Sequence, residues 1–284
     1  MEHNSNIEAH SNSPFRGRGG EAGRELLYVI KIGGNIIDDE NKLSSFLQSF
    51  ASIQGKKILV HGGGKLATKL ADKMGVEQQM IDGRRVTDAE TLKIVTMVYA
   101  GYINKNIVAQ LQSNGCNAIG LSGADGNLIQ AHKRQHATID YGFVGDIDSV
   151  NTSLLQTLLD QDIAVVAAPI THDAKGTLLN TNADTIAQEL ATALGKLYQT
   201  ELIYSFEKNG VLLNVDDENS VIPQINESYY KELKEKQLIF AGMIPKLDNA
   251  FAALQKGVHK VIIGKAENLQ QLIEGSAGTT ISHE

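Results

Sequence analysis

Two glycine-rich turns, each preceded by an apolar run, are the residues best suited to chemistry in this sequence: Val29-Ile-Lys31-Ile-Gly33-Gly34-Asn35 and Ile58-Leu-Val-His61-Gly62-Gly63-Gly64-Lys65. Glycine lacks a Cβ, so successive backbone N–H groups can converge on phosphate or carboxylate oxygens, and a helix starting just beyond adds its positive end. The second turn leads into such a helix, because Leu66, Leu70 and Met74 recur at i, i+4 and i+8 and Gly75 suits its end. Neither turn is a P-loop, since Lys65 is followed by Leu66, and neither holds a full G-x-G-x-x-G. One glycine turn alone reads as a tight connection. Two at strand-to-helix junctions, with Lys31 beside the first, read as an anion site.

Three further groups stand where an anion would need them. Lys31 interrupts an apolar run at its carboxyl end, where open α/β sheets bind ligands. Its stem either packs while the ammonium reaches water, or the charge pairs with a bound phosphate. Asn180-Thr-Asn182-Ala-Asp184 opens a second helix, striped by Ile186, Leu190, Ala193 and Leu194 and ending at Gly195. Capping, worth about 1 kcal/mol, accounts for one polar residue at a helix start. Either Asn182 or Asp184 simply caps the helix, or the asparagine side chains hold a polar substrate while Asp184 orients cationic groups. Gly242-Met-Ile-Pro245-Lys246 starts a third helix, with Met243, Leu247, Ala250 and Leu254 on one face. A cation is disfavoured at the positive end of a helix, so Lys246 is either a solvated surface lysine or faces an anion. Arg84-Arg85, after Gly83, is either a carboxylate clamp or a solvated pair. His61 reads as hydrogen-bonded to backbone rather than as a general base.

The elements that position these groups follow from composition and periodicity. A chain of 284 residues that is 42% hydrophobic can bury a large core. A net charge of −7, from 26 basic and 33 acidic residues, argues against a nucleic-acid or membrane-surface partner. The single Cys116 cannot form an internal disulfide, and no run approaches the roughly 20 apolar residues of a membrane span; the cytoplasm is the expected compartment. Residues 1–24, rich in Asn, Ser, Gly, Glu and Arg, read as a disordered tail. Beyond them, apolar runs at 26–32, 57–60, 118–121, 164–169, 201–205 and 260–263 alternate with helical stretches, the pattern of a mainly parallel, doubly wound sheet. Residues 127–150 read as a β-hairpin at a sheet edge. Two lobes sharing one sheet, with a boundary near 170–176, complete the expectation.

These motifs, in this order, resemble those of the amino-acid kinase family, and within it the branch that phosphorylates the side-chain carboxylate of N-acetyl-L-glutamate in arginine biosynthesis. The resemblance covers residues 26–284 and rests on Lys31-Ile-Gly-Gly34, Val60-His-Gly-Gly-Gly64, Gly83-Arg-Arg85-Val-Thr87, Asn180-Thr-Asn-Ala-Asp184 and Gly242-Met-Ile-Pro-Lys246. It implies a three-layer αβα sandwich around a mainly parallel sheet, with residues 25–170 binding the amino-acid substrate and mediating dimerisation, and residues 171–284 binding nucleotide. It further implies that ATP is consumed to give N-acetyl-glutamyl 5-phosphate and ADP. Lys31 and Lys246 would stabilise the phosphoryl group in flight, with Asp184 organising both. Gly63, Gly64, Arg85 and Asn180 would hold the substrate, and Gly33, Gly34, Phe206, Gly210 and Gly242 would line the nucleotide side. Mg2+ would arrive on the nucleotide, with no dedicated protein metal site.

Elementary chemistry is consistent with this. A carboxylate nucleophile, with a pKa of ~4.3, is already ionised at neutral pH, so no base is needed. Alignment and charge neutralisation remain, and lysines, glycine amides and helix N-termini supply them. One stretch departs from the family pattern: Tyr204-Ser-Phe206-Glu207-Lys208-Asn209-Gly210 stands where an aspartate-containing turn is common, beside the adenosine end. Two alternatives stay open. An N-succinyl-L-glutamate kinase would need another cation, for which Arg84 is the obvious candidate, and a non-catalytic amino-acid-binding regulator could use the same fold. A homodimer insensitive to arginine is expected, because Ile7 and Phe15 do not give residues 1–24 an apolar helix face that could link dimers into a hexamer.

Overall fold

Residues 23–81, 84–239 and 243–283 are described by the computed structural model. Residues 1–22, and with them most of the expected tail, lie outside the described residues, as do Gly83 and Gly242. In chain order the strands are β1 (Leu26–Ile32), β2 (Lys56–His61), β3 (Met80–Ile81), β4 (Arg84–Arg85), β5 (Ala118–Leu121), β6 (Ile129–Lys133), β7 (Gly145–Val150), β8 (Ala164–Ala167), β9 (Ile170–His172), β10 (Leu178–Asn180), β11 (Gln199–Phe206), β12 (Gln224–Ile225), β13 (Lys260–Lys265) and β14 (Thr279–Ile281). The helices are α1 (Gly34–Ile37), α2 (Glu40–Ser52), α3 (Gly64–Lys73), α4 (Ala89–Thr96), α5 (Asn104–Ser113), α6 (Thr152–Leu159), α7 (Ala183–Leu194), α8 (Glu227–Glu235), α9 (Ile244–Gln255) and α10 (Leu269–Glu274).

Eight strands form one sheet in the order β12-β14-β13-β11-β1-β2-β8-β5, and β1 sits at its centre, parallel to β2 on one side and β11 on the other. A central parallel strand is covered on both faces, which is why 26–32 is apolar almost throughout. Its side chains divide by pleat. Leu27 and Val29 join the core under α6, α7, α8 and α9, whereas Tyr28, Ile30 and Ile32 join the core under α2, α3, α4, α5 and α10. The result is an αβα sandwich. Each fully buried Leu, Ile or Phe in these layers contributes roughly 1.5–3 kcal/mol, which holds β1 against both neighbours.

The expected core strands are present, and 26–32 and 118–121 have the expected bounds. The hairpin expected at 127–150 forms as the antiparallel pair β6–β7, but it does not flank the main sheet. It belongs to a separate four-stranded sheet, β10-β9-β6-β7, because Gln130 pairs with His172 and Val144 with Asn180. Residues 170–176 fall in the β9–β10 hairpin of that second sheet. Between α4 and α5 the chain widens into a π-helix over Met97–Ile103, a local irregularity that periodicity does not reveal.

The second sheet is stitched to the segment after Arg85. Thr87 N–H donates to the Tyr141 carbonyl at 2.9 Å, and Phe143 N–H donates to the Thr87 carbonyl at 2.6 Å. Gly142 between them has φ +72, and a Cβ there would lie 2.1 Å from the Thr87 carbonyl oxygen. Gly142→Ala is therefore expected to cost roughly 1–3 kcal/mol of stability. Urea unfolding checks this: the midpoint should fall with an unchanged slope, and a midpoint equal to the parent's would contradict the fit.

Candidate active site

β1 and β2 run side by side, with Lys31 opposite Val60, and both end at glycine turns on the same edge of the sheet. α3 starts from the second turn at Gly64, and α7 starts nearby at Ala183, so two helix N-termini converge there. Lys31, Gly34, Gly63, Gly64, Arg85, Asn180 and Asp184 all face one cavity of about 270 Å3. A second cavity, about 40 Å3, is lined by Lys31, Asp184, Phe206 and Lys246 among others. Lys31 and Asp184 belong to both.

Lys31 Nζ and Asp184 Oδ1 are 2.7 Å apart. The oxygen is closed off from solvent and accepts no well-aligned hydrogen bond from the described residues, so the ammonium is its electrostatic partner. An ion pair whose carboxylate side chain is 41% exposed contributes only ~0–1 kcal/mol to stability. Stability therefore does not account for a lysine on a buried central strand. Asn182 provides the cap of α7, accepting from Asp184 N–H at 2.8 Å and Thr185 N–H at 3.2 Å, which leaves the Asp184 carboxylate free to face the lysines. Beneath it the Tyr204 hydroxyl donates to the Asp184 carbonyl at 3.4 Å. Burial, with added repulsion from Asp184 and Glu189, raises the Tyr204 pKa and keeps the phenol neutral.

Lys246 lies in the first turn of α9, after Pro245. The residue is exposed as a whole, yet its ammonium stands 4.5 Å from the centre of the Phe206 ring. Crowding by protein around the charge lowers its pKa, as does Lys31, while Asp184 and Glu207 oppose the shift. Two ammonium groups thus share one carboxylate across the smaller cavity. Ser205 joins this end of β11 to the first glycine turn: its hydroxyl donates to the Lys31 carbonyl at 3.0 Å, and Gly33 N–H donates to its carbonyl at 3.1 Å.

Arg85 is held on several sides. Its Nη2 donates to the Gly64 carbonyl at 3.0 Å and Thr68 Oγ1 at 2.9 Å, and its Nη1 donates to Gln78 Oε1. Asn180 Nδ2 donates to Thr87 Oγ1 at 3.0 Å. The larger cavity also takes residues that the sequence did not single out for it, Tyr99 from the π-helix and Arg134 at the end of the β6–β7 pair, beside Gly62 of the second turn. Arg134 is paired with Asp146 through Nε at 3.0 and 3.1 Å, and this guanidinium holds the Asp146 carboxyl below its ordinary pKa. Nothing near residue 134 in sequence indicates that it returns to the glycine turns. Among the described residues the cavity lining carries four cations, of which Lys31 is paired with Asp184 and Arg134 with Asp146, leaving Arg84 and Arg85 without a carboxylate partner in the lining. A chain of net charge −7 thus concentrates positive potential at one place. Gly33 and Gly210 lie outside both linings. Gly210 packs against Thr279 and Val221 instead.

The three glycines of the second turn differ in what the fold asks of them. At Gly63, φ is +144, and a Cβ would lie 2.2 Å from Ile103 Cδ1. At Gly62 a Cβ would meet nothing within 4 Å, and at Gly64 nothing nearer than Arg85 Nη2 at 3.8 Å. The fold tolerates side chains at 62 and 64, so their absence leaves room for a ligand. Gly62→Ala is expected to change stability by less than ~0.5 kcal/mol while weakening anion binding, whereas Gly63→Ala should cost more than ~2 kcal/mol. Equal unfolding midpoints for the two variants would remove this distinction.

Comparison with known proteins identifies the family. The family model described as the amino acid kinase family matches residues 27–265. The acetylglutamate kinase of Cytophaga hutchinsonii is 59% identical over 250 residues, covering 88% of this chain and 95% of its own. That of Parabacteroides distasonis is 54% identical over 247 residues, covering 87% and 97%. The crystal structure of N-acetylglutamate synthase from Neisseria gonorrhoeae, complexed with coenzyme A and N-acetyl-glutamate, superposes with a TM-score of 0.77 at 22% identity. It matches over 92% of this chain and 60% of its own, and at that identity it speaks to the fold alone. By its matched family model, its close relatives and its sandwich fold, the chain belongs to the amino acid kinase family.

Proposed function

We infer that this chain transfers the terminal phosphoryl group of ATP to the side-chain carboxylate of N-acetyl-L-glutamate, giving N-acetyl-glutamyl 5-phosphate and ADP in arginine biosynthesis. The relatives named above support the substrate, and one observation supports the mechanism: the Lys31–Asp184 pair stands between the two cavities and lines both. In this reading the larger cavity holds the acylglutamate, with Arg85, Asn180, Gly63 and Gly64 around it. The smaller one, beside Phe206 and α9, takes the phosphoryl end of the nucleotide in this reading.

A carboxylate oxygen attacks the γ-phosphorus, an O–P bond forms, and the bond to the bridging oxygen of ADP breaks. The nucleophile is already ionised, so no proton moves. Charge spreads over the transferring group, and Lys31 on one side and Lys246 on the other neutralise it, with Asp184 holding them apart from full mutual repulsion. Gly34 lines the path between the turns. Mg2+ arriving on the nucleotide's phosphates would supply further neutralisation, and Asp184 is the carboxylate that lines both cavities; among the described residues no cluster of three or more His, Cys, Asp or Glu suits a metal ion.

The same reading assigns residues 25–170 to the amino-acid substrate and to a homodimer contact, and residues 171–284 to nucleotide, in the cytoplasm. No helix among the described residues is long and apolar enough to cross a membrane. Sedimentation of the purified protein tests the dimer.

Hydroxylamine trapping of the acyl phosphate tests the reaction itself, and the product should require both ATP and N-acetyl-L-glutamate. Lys31→Ala and Lys246→Ala should each lower kcat by roughly 10²–10³, the cost of one preorganised electrostatic contact to a transition state. Near-normal turnover in the Lys31 variant would sink its assignment. Arg84 lines the larger cavity, and this keeps N-succinyl-L-glutamate as the second reading. The acetyl compound should have the higher kcat/KM. A preference for succinyl above about tenfold, or ~1.4 kcal/mol in transition-state binding, would reverse the order.

A further inference from the structure

The transfer needs no base, yet a histidine removed wholly from solvent directly precedes the second glycine turn. His61 Nδ1 lies 2.8 Å from the Gly62 carbonyl oxygen, which can only accept, so Nδ1 carries the proton and donates it. The other ring nitrogen, Nε2, is 3.2 Å from Asn104 Nδ2 and accepts from it. Asn104 is equally buried, and its amide orientation is set from two directions. Its Nδ2 also donates to the Val166 carbonyl at 3.0 Å, and its Oδ1 accepts from Lys105 Nζ at 3.1 Å. Lys105 is held in turn by the Gly120 carbonyl at 2.7 Å. A directed chain therefore runs from Lys105 through Asn104 and His61 to Gly62. Burial, with the nearby Lys105 charge adding to it, pushes the His61 pKa down to about 4 and keeps the ring neutral.

This chain ends on a peptide that would otherwise flip easily. The Gly62–Gly63 unit has glycine on both sides, so rotating the peptide plane meets little steric resistance. The bond is trans, and so the Gly63 N–H points opposite to the Gly62 carbonyl. With that carbonyl held by His61, the N–H is directed away from the ring, and among the described residues it has no acceptor. Gly62, Gly63 and Gly64 all line the larger cavity. We propose that His61 and Asn104 are positioning residues, which lock the Gly62–Gly63 peptide so that its N–H faces the anion in that cavity. What the anion is rests on the kinase reading.

Two variants and one spectrum test the proposal. His61→Leu, which keeps an apolar side chain but no donor, should lower kcat roughly 10- to 100-fold, with a smaller change in KM for N-acetyl-L-glutamate. His61→Asn, whose amide nitrogen occupies the topological place of Nδ1, should recover most of that loss. A merely structural histidine would instead lower the melting temperature of both variants without separating their kcat values, and that outcome would overturn the proposal. The nitrogen-15 spectrum of wild-type protein should show His61 protonated on Nδ1 and unprotonated on Nε2; the opposite tautomer would also overturn it. Wild-type turnover is measured alongside. Its absence would count against the kinase reading, while the tautomer result would still decide the histidine's role.

Discussion

Charge compensation inside an acidic chain is the constraint on which the rest of this structure depends. A phosphoryl group passing between two anions needs several positive charges within a few ångströms, and the two cavities gather cationic side chains distant in sequence. Lys31 can stand there because β1 is the central strand of a parallel sheet, and the carboxyl ends of such strands open onto a crevice. Its burial is tolerable because Asp184 meets it at 2.7 Å. Asp184 can do so because α7 begins at that point, capped by Asn182 rather than by the aspartate itself.

The backbone completes what the side chains begin. Glycine at 62 and 64 leaves space that the fold does not require, whereas glycine at 63 answers to the close approach of Ile103 from the π-helix. The widening of that helix, which brings Tyr99 and Ile103 under the turn, and the clustering of three arginines around the same cavity belong to one local design. Arg85 links the two parts, since it donates to the carbonyl of Gly64. Arg134 differs: its bidentate pairing with Asp146 spends much of its charge on the second sheet, so it shapes the cavity wall more than it attracts a ligand.

The bounds of β1 and β5 were legible because each is a short apolar run, broken only by Lys31 in β1 and Gly120 in β5, set between helical stretches. Other bounds were not. β11 extends to Gln199–Phe206 because it pairs with β1 on one side and with β13 on the other, and pairing partners leave no mark in the local run. The segment 127–150 carried the signal of a hairpin but none of its destination, and Gln130 and Val144 joined β9 and β10 rather than the edge of the main sheet.

The sequence by itself carried the local signals of the chemistry: glycine turns at two strand ends, lysines at 31 and 246, and an Asn-Asp helix start at 180–184. Each is a local pattern, dictated by what glycine, a helix N-terminus or a buried ammonium can do within a few residues. Tertiary structure alone decided that Lys31 and Asp184 touch, that Lys246 lies over Phe206, that Arg134 reaches the cavity, and that His61 is wired through Asn104 to the Gly62 carbonyl. Those contacts join residues far apart along the chain. They exist because parallel strands bring distant turns to one edge of the sheet, and no local propensity records which turns will meet.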